Sequence, residues 1–133
     1  GMDGYVAAKQ RLFARQGEED MAVLNDDDPV VAQMAVPPGA SVWRFSLDRP
    51  EDRGLWVRDG AICHGGEEVA CTSDTQLPGK HNLQNVLAAL CMMRAGGFDW
   101  DKALEGLRGF KGVEHRIEFV LECEGVAYYN DSK

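Results

Sequence analysis

The sequence predicts an α/β fold: a parallel strand with helices, a small antiparallel sheet, and a closing β-hairpin. Three observations carry that reading. The apolar run MAVLN at 21–25 is followed by DDDPVVAQMA, whose acidic residues and Pro29 mark a helix start. From 41 to 71, β-branched and aromatic residues are broken by Asp-Gly and Gly-Gly pairs. A helical period then returns in HNLQNVLAALCMMRAGG, with Leu83, Val86, Leu87 and Leu90 at steps of three and four.

Taken in order, DGYVAAKQRLFARQG places apolar residues at 5, 6, 12 and 13 with Gly17 as a stop, which predicts a helix of about three turns. MAVLN reads as a strand buried on both faces, and DDDPVVAQMA places acidic residues and Pro29 where the next helix would begin. SVWRFSL, GLWVRDG and AICHGGEEVAC read as strands joined by tight turns into a small antiparallel sheet. After the long helix, DWDKALEGLRGF gives a second, shorter one, and RIEFVLECEGVAYYN alternates about Glu124-Gly125 as a hairpin does. GFKGVEHR, with two glycines and four ionisable groups, is the composition break and is read as a hinge. The expected division is 1–110 for one domain and 111–133 for the hinge and the first hairpin of the next.

Composition narrows the partners. The 133 residues are 44% hydrophobic, enough for one core, yet also a plausible piece of a larger enzyme. A net charge of -8 repels phosphate backbones and anionic lipid, so neither nucleic acid nor membrane is expected as a partner. The longest apolar run, NVLAALCMM, falls far short of the roughly 20 residues that span a bilayer, and a soluble, cytoplasmic protein is expected. Cys63, Cys71, Cys91 and Cys123 are scattered without a C-x-x-C pair, and are read as small buried apolar residues rather than metal ligands.

The motif PGKHN invites comparison with a phosphate-binding loop and fails it. Asp74 stands where such a loop needs its first glycine, and His81 where it needs Ser or Thr. What remains is a set of polar residues at segment edges: Lys9, Asn82, Asn85, His115, Arg116, Asp131 and Lys133. Taken singly, each has an ordinary reading. Asn82 would cap the helix that follows, Asn85 would be solvated, and His115-Arg116 would be surface charge.

Together they do more. GKHNLQNVLAAL, GFKGVEHRIEFV and GVAYYNDSK, at these separations, resemble the Mur ligases of peptidoglycan synthesis, and GYVAAKQRLFARQ followed by AVLNDDDP is similar to the same family at the front end. The resemblance covers nearly all of the chain, and the NDSK ending is similar to the branch that adds D-glutamate. Glu114 departs from the family pattern, which commonly has Pro before the His-Arg pair.

The resemblance implies a three-domain parent enzyme, of which this chain would be the second half of the central ATPase domain plus the first hairpin of a C-terminal Rossmann-like domain. It implies ATP and Mg²⁺ as cofactors, UDP-N-acetylmuramoyl-L-alanine and D-glutamate as substrates, and an acyl phosphate between them. It further implies that Lys9 becomes a carbamate ligand of magnesium, since a carbamate offers hard oxygens where an ammonium offers none. Asn82 and Asn85 would lie beside adenine, and His115 and Arg116 would meet the nucleotide at the hinge. Asp131 would accept from ribose, and Lys133 would meet D-glutamate. By itself the 133-residue chain is expected to be inactive and to self-associate. Another amide ligase of the superfamily, such as a folylpolyglutamate synthase, and a folded piece with only associative properties are the alternative readings.

Overall fold

The computed structural model describes residues 1–113 and 118–130. Five strands, β1 (Met21–Asn25), β2 (Ser41–Ser46), β3 (Gly54–Arg58), β4 (Ala61–His64) and β5 (Glu67–Cys71), form one sheet in sequence order. β1, β2 and β3 run parallel, with Val23 opposite Trp43 and Phe45 opposite Leu55. β3, β4 and β5 are the expected antiparallel meander. Its turns at Asp59-Gly60 and Gly65-Gly66 hold both central residues at positive φ, the backbone that a two-residue hairpin needs. β2 departs from expectation, pairing parallel with both neighbours instead of joining that meander. The segment 26–40 returns the chain to the start of the sheet, so β2 must run in the direction of β1.

Helices α1 (Met2–Gln10), α2 (Pro29–Ala32), α3 (Lys80–Ala95) and α4 (Trp100–Gly109) complete the main body. α1 is shorter than its apolar spacing predicts. Beyond Gln10 the backbone tightens to three-residue bonds, Leu12 N to Lys9 O and Phe13 N to Gln10 O, while the Gln10 amide is held by the backbone of Ala35. α2 starts as expected, with Asp28 Oδ1 accepting from Val30 N at 2.8 Å and Val31 N at 3.1 Å. Asp99 caps α4 in the same way through Lys102 N.

α3 lies over β1, β2 and β3 and closes the core. Phe45, Leu55 and Ile62 of the sheet meet Val86, Leu87, Leu90 and Cys91 of α3 and Leu104 of α4. Complete burial of Leu87 is worth about 1.5–3 kcal/mol by transfer alone. Burial on both faces, expected for β1, is not found: Ala22 and Leu24 are buried, whereas Met21, Val23 and Asn25 are half-buried. Among the described residues β1 is the outermost strand, so it gains cover from one neighbouring strand only. Gly54 is dictated by packing, since a Cβ there would lie 1.7 Å from the Arg44 carbonyl oxygen.

Cys63 and Cys91 are buried as expected, and burial pushes the Cys91 thiol up to about 12. Cys71 is half-buried, and Cys123 corrects the expectation by standing exposed on the hairpin of β6 (Glu118–Cys123) and β7 (Val126–Asn130). Glu124 and Gly125 turn that hairpin at positive φ, as their sequence predicts. A two-stranded ribbon gives its side chains little cover, and Val120, Leu121, Val126 and Tyr128 are exposed. No described helix is long and apolar enough to cross a membrane.

Candidate functional site

Open α/β sheets bind ligands outside the carboxyl ends of their parallel strands. Here those ends are stapled together. Asn25 Oδ1 accepts from Asp27 N at 3.0 Å and shapes the turn after β1. Asp27 then reaches β2: its Oδ1 accepts from Ser46 Oγ at 2.6 Å, and its Oδ2 from Leu47 N at 2.8 Å. Ser46 is fully buried, and its Oγ in turn accepts from Arg49 N at 2.9 Å. Arg44 Nη1 lies 2.5 Å from Asp26 Oδ1 and donates to Ala32 O, tying α2 to the same end.

Partial burial pushes the Asp27 carboxyl up. Hydrogen bonds from Ser46, Leu47 and Gln84, with the Arg49 charge, outweigh it and hold the group below the usual carboxylate range. Glu51 goes the other way, raised by burial and by Asp26. A polar cleft of about 330 Å³, lined by Asp27, Leu47, Asp48, Arg49 and Lys80, opens between these strand ends and the start of α3.

A second cavity, of about 390 Å³, runs between α3 and α4. Leu77, Val86, Met93, Leu107 and Phe110 make it apolar, and Asn85 stands exposed at its rim. Asn82 lies one turn back and is not the cap that its position predicted. Gly79 at φ 93 occupies the cap position, and the Asn82 amide donates instead to Pro78 O at 2.7 Å. Gly79-Lys80 therefore opens a helix, while Asp74, the residue that spoils the phosphate-loop pattern, sits in a 3₁₀ turn bonded to Arg108.

Lys9 lines a third cavity, of about 520 Å³ between α1 and α2, with Tyr5, Phe13, Val31, Met34 and Asp28. Its Nζ sits 5.4 Å from the Tyr5 ring centroid, a cation–π contact. The structure thus brings Asn82 and Asn85 together on α3 and leaves Lys9 in a different groove. His115, Arg116, Asp131 and Lys133 lie outside the described residues. No group of three His, Cys, Asp or Glu side chains that could hold a metal exists among the described residues. An ammonium supplies magnesium nothing, so these residues alone do not fit a resident Mg²⁺.

Asp27, Ser46, Arg49 and Gln84 were not singled out by sequence reasoning. The Asp run marks a helix start equally well, and Ser46 ends a strand as many serines do; only their meeting in space distinguishes them.

Residues 1–93 match the model of the Mur ligase middle domain. The UDP-N-acetylmuramoylalanine--D-glutamate ligase of Pelotomaculum thermopropionicum is 46% identical over 99% of this chain and 30% of its own length. That of Bacillus subtilis is 34% identical over 98% of this chain and 29% of its own. The chain thus spans less than a third of the curated relatives that it matches. Among solved structures, MurF from Acinetobacter baumannii superposes with a TM-score of 0.75 at 20% identity, over 98% of this chain and 30% of that one. A pseudomurein peptide ligase type C from Methanothermus fervidus gives 0.67 at 20%, over 91% of this chain and 33% of that one. At such identities the likeness speaks for the fold, and the family match over most of the chain speaks for descent: this chain belongs to the Mur ligase family.

Proposed function

We propose that the protein to which this chain belongs is the ATP-dependent ligase that joins D-glutamate to UDP-N-acetylmuramoyl-L-alanine. The observation that carries this reading is the 34–46% identity, over nearly the whole chain, to relatives named for that reaction. In it, a substrate carboxylate oxygen attacks the γ-phosphorus of ATP and ADP leaves. The D-glutamate amine then attacks the acyl carbon and phosphate departs with the C–O electrons. Such chemistry rests on positioning and on neutralising phosphate charge.

Within this reading, the groove between α3 and α4 takes the adenine. Its apolar walls suit a flat base, and an Asn amide at the rim can pair with the donor–acceptor edge of adenine. Asn82 supports the same turn, His115 and Arg116 meet the nucleotide at the hinge, and Asp131 accepts from the ribose. Lys133 faces the D-glutamate carboxylate, and Lys9, as a carbamate, supplies one oxygen ligand to magnesium, whose other ligands come from outside the described residues. Residues 1–110 would form the second half of the ATP-binding domain, with 111–133 as hinge and first hairpin of the next. Having no phosphate loop of its own, the 133-residue chain alone is inactive, and the edge of β1, outermost among the described residues, favours self-association.

The test uses the whole protein, UDP-N-acetylmuramoyl-L-alanine and ATP, with phosphate release and product mass as readouts. Turnover that needs D-glutamate is expected. Turnover with L-glutamate on a folate substrate, or with D-alanyl-D-alanine but not D-glutamate, would overturn the reading.

A further inference from the structure

Glycine in a helix interior weakens the helix unless something needs the space that it leaves. Gly106 lies within α4, on ordinary helical backbone. Outside the backbone of its own helix, a Cβ built there would meet no described atom within 4 Å. Gly54 is the opposite case, where the Arg44 carbonyl already fills the Cβ position. At Gly106 the added carbon would enter the cavity between α3 and α4, which this residue lines together with Leu77, Asn85, Met93 and Phe110. At about 390 Å³ the cavity falls within the range of small-ligand sites, roughly 300–1,000 Å³. The packing of α4 therefore has no use for the missing side chain, whereas a molecule in the groove does.

We infer that Gly106 is a specificity-determining residue of the nucleotide site, its bare backbone letting a flat purine base lie directly against α4. This rests on the reading of the α3–α4 groove as the adenine site, and names the wall on which the base lies. A planar ring gains dispersion contact only by close approach, with heavy atoms about 3.5–4.0 Å apart. A side chain on that wall would hold the ring off. Asn85, on α3, meets the edge of the base from the rim, and Gly106, on the facing helix, sets how deep the base can sit. Nor can α4 retreat to make room for a larger residue. Two residues beyond Gly106, Arg108 Nε is bound to Asp74 Oδ1 at 2.9 Å, and Arg108 O is held by the Gln76 amide at 2.5 Å.

The experiment compares wild-type whole protein with Gly106→Ala, Gly106→Leu and, as a control, Glu105→Leu, by titration with a non-hydrolysable ATP analogue, steady-state kinetics and thermal melts. Ala and Leu are both better helix formers than Gly, so both Gly106 variants should melt no lower than wild type, which separates binding from folding. Glu105 is exposed on α4 and does not line the groove, so its variant should bind the analogue as wild type does. Gly106→Ala is expected to raise the analogue's Kd and KM for ATP by about threefold to tenfold, and Gly106→Leu by about a hundredfold, on the scale of overpacking a filled site. Turnover at saturating ATP and KM for D-glutamate should hold, because a base remote from the transferred phosphate contributes binding alone. Wild-type affinity in Gly106→Leu overturns the inference and leaves the groove a seam between helices. An equal loss in Glu105→Leu overturns it too, as does a lower melting temperature in both Gly106 variants, which would show that the fold itself needs the glycine. A wild type that binds the analogue but ignores D-glutamate defeats the substrate reading alone, and the titrations still decide the role of Gly106. A wild type that does not bind the analogue overturns both.

Discussion

Arg108 Nε donates to Asp74 Oδ1 across 2.9 Å, joining the last turn of α4 to the 3₁₀ turn after β5. The Gln76 amide donates to Arg108 O at 2.5 Å, so the loop that leads into α3 and the end of α4 move as one piece. Leu77 and Phe110, which line the α3–α4 groove, sit on either side of this clasp.

The clasp has a pH signature. The hydrogen bond from Arg108, then that from Cys71 N, lowers the Asp74 carboxyl below its ordinary 3.8. A depressed folded value means stability that is fully present above the unfolded value and lost as pH falls through the folded one. Arg108→Ala should therefore lower the melting temperature at neutral pH. The gap from wild type should close as pH falls through the lowered Asp74 value, where the carboxyl is protonated in either protein. Melts by circular dichroism across pH check this; a gap independent of pH would assign the effect to packing of the Arg108 stem.

Gly54→Ala should be among the most damaging single changes in the sheet. The new Cβ would meet the Arg44 carbonyl oxygen at 1.7 Å, against backbone that cannot swing aside, and β2 and β3 would have to part. A loss of about 3 kcal/mol or more is expected, read from denaturant midpoints, and a near-neutral result would contradict the parallel register of β2 with β3.

Lys9→Ala should do the opposite. Exposed and held by one cation–π contact, Lys9 contributes little to folding, and stability should change by less than about 0.5 kcal/mol. In the whole protein the same change should remove most ligase activity, with partial rescue by added short carboxylates that replace the lost oxygen ligand. Near wild-type turnover would make Lys9 a surface residue.

Asp131→Ala and Lys133→Ala should split the substrates. Loss of the ribose acceptor should weaken ATP by about 1–3 kcal/mol and spare D-glutamate, while loss of the ammonium should raise KM for D-glutamate or lower turnover and spare ATP. Varying each substrate in turn separates the two, and indifference of both variants to both substrates would remove them from the site.

The cysteines should differ sharply toward iodoacetamide. Cys123 is exposed and should label first, Cys71 more slowly, and the buried Cys63 and Cys91 only on unfolding. The Cys91 thiol, raised to about 12 by burial, carries almost no thiolate at neutral pH. Mass spectrometry of timed samples gives the order.

By itself, the sequence determined what depends on neighbours along the chain. Helical spacing from Leu83 to Leu90 placed α3, Asp28-Pro29 placed the start of α2, and Asp59-Gly60, Gly65-Gly66 and Glu124-Gly125 placed the hairpins, because caps, periodicity and positive-φ turns are local. Its motifs also pointed to the Mur ligase family, to which the chain belongs. Tertiary structure decided what depends on residues far apart. Nothing local in SVWRFS tells β2 to run parallel with β1 and β3, since one alternating pattern serves either direction. Where α1 stops was set by Ala35, which holds Gln10 from 25 residues away. The grip of Asp27 on Ser46 and Leu47 belongs to the same class: each is ordinary in sequence, and only folding brings the turn after β1 and the end of β2 within hydrogen-bond reach.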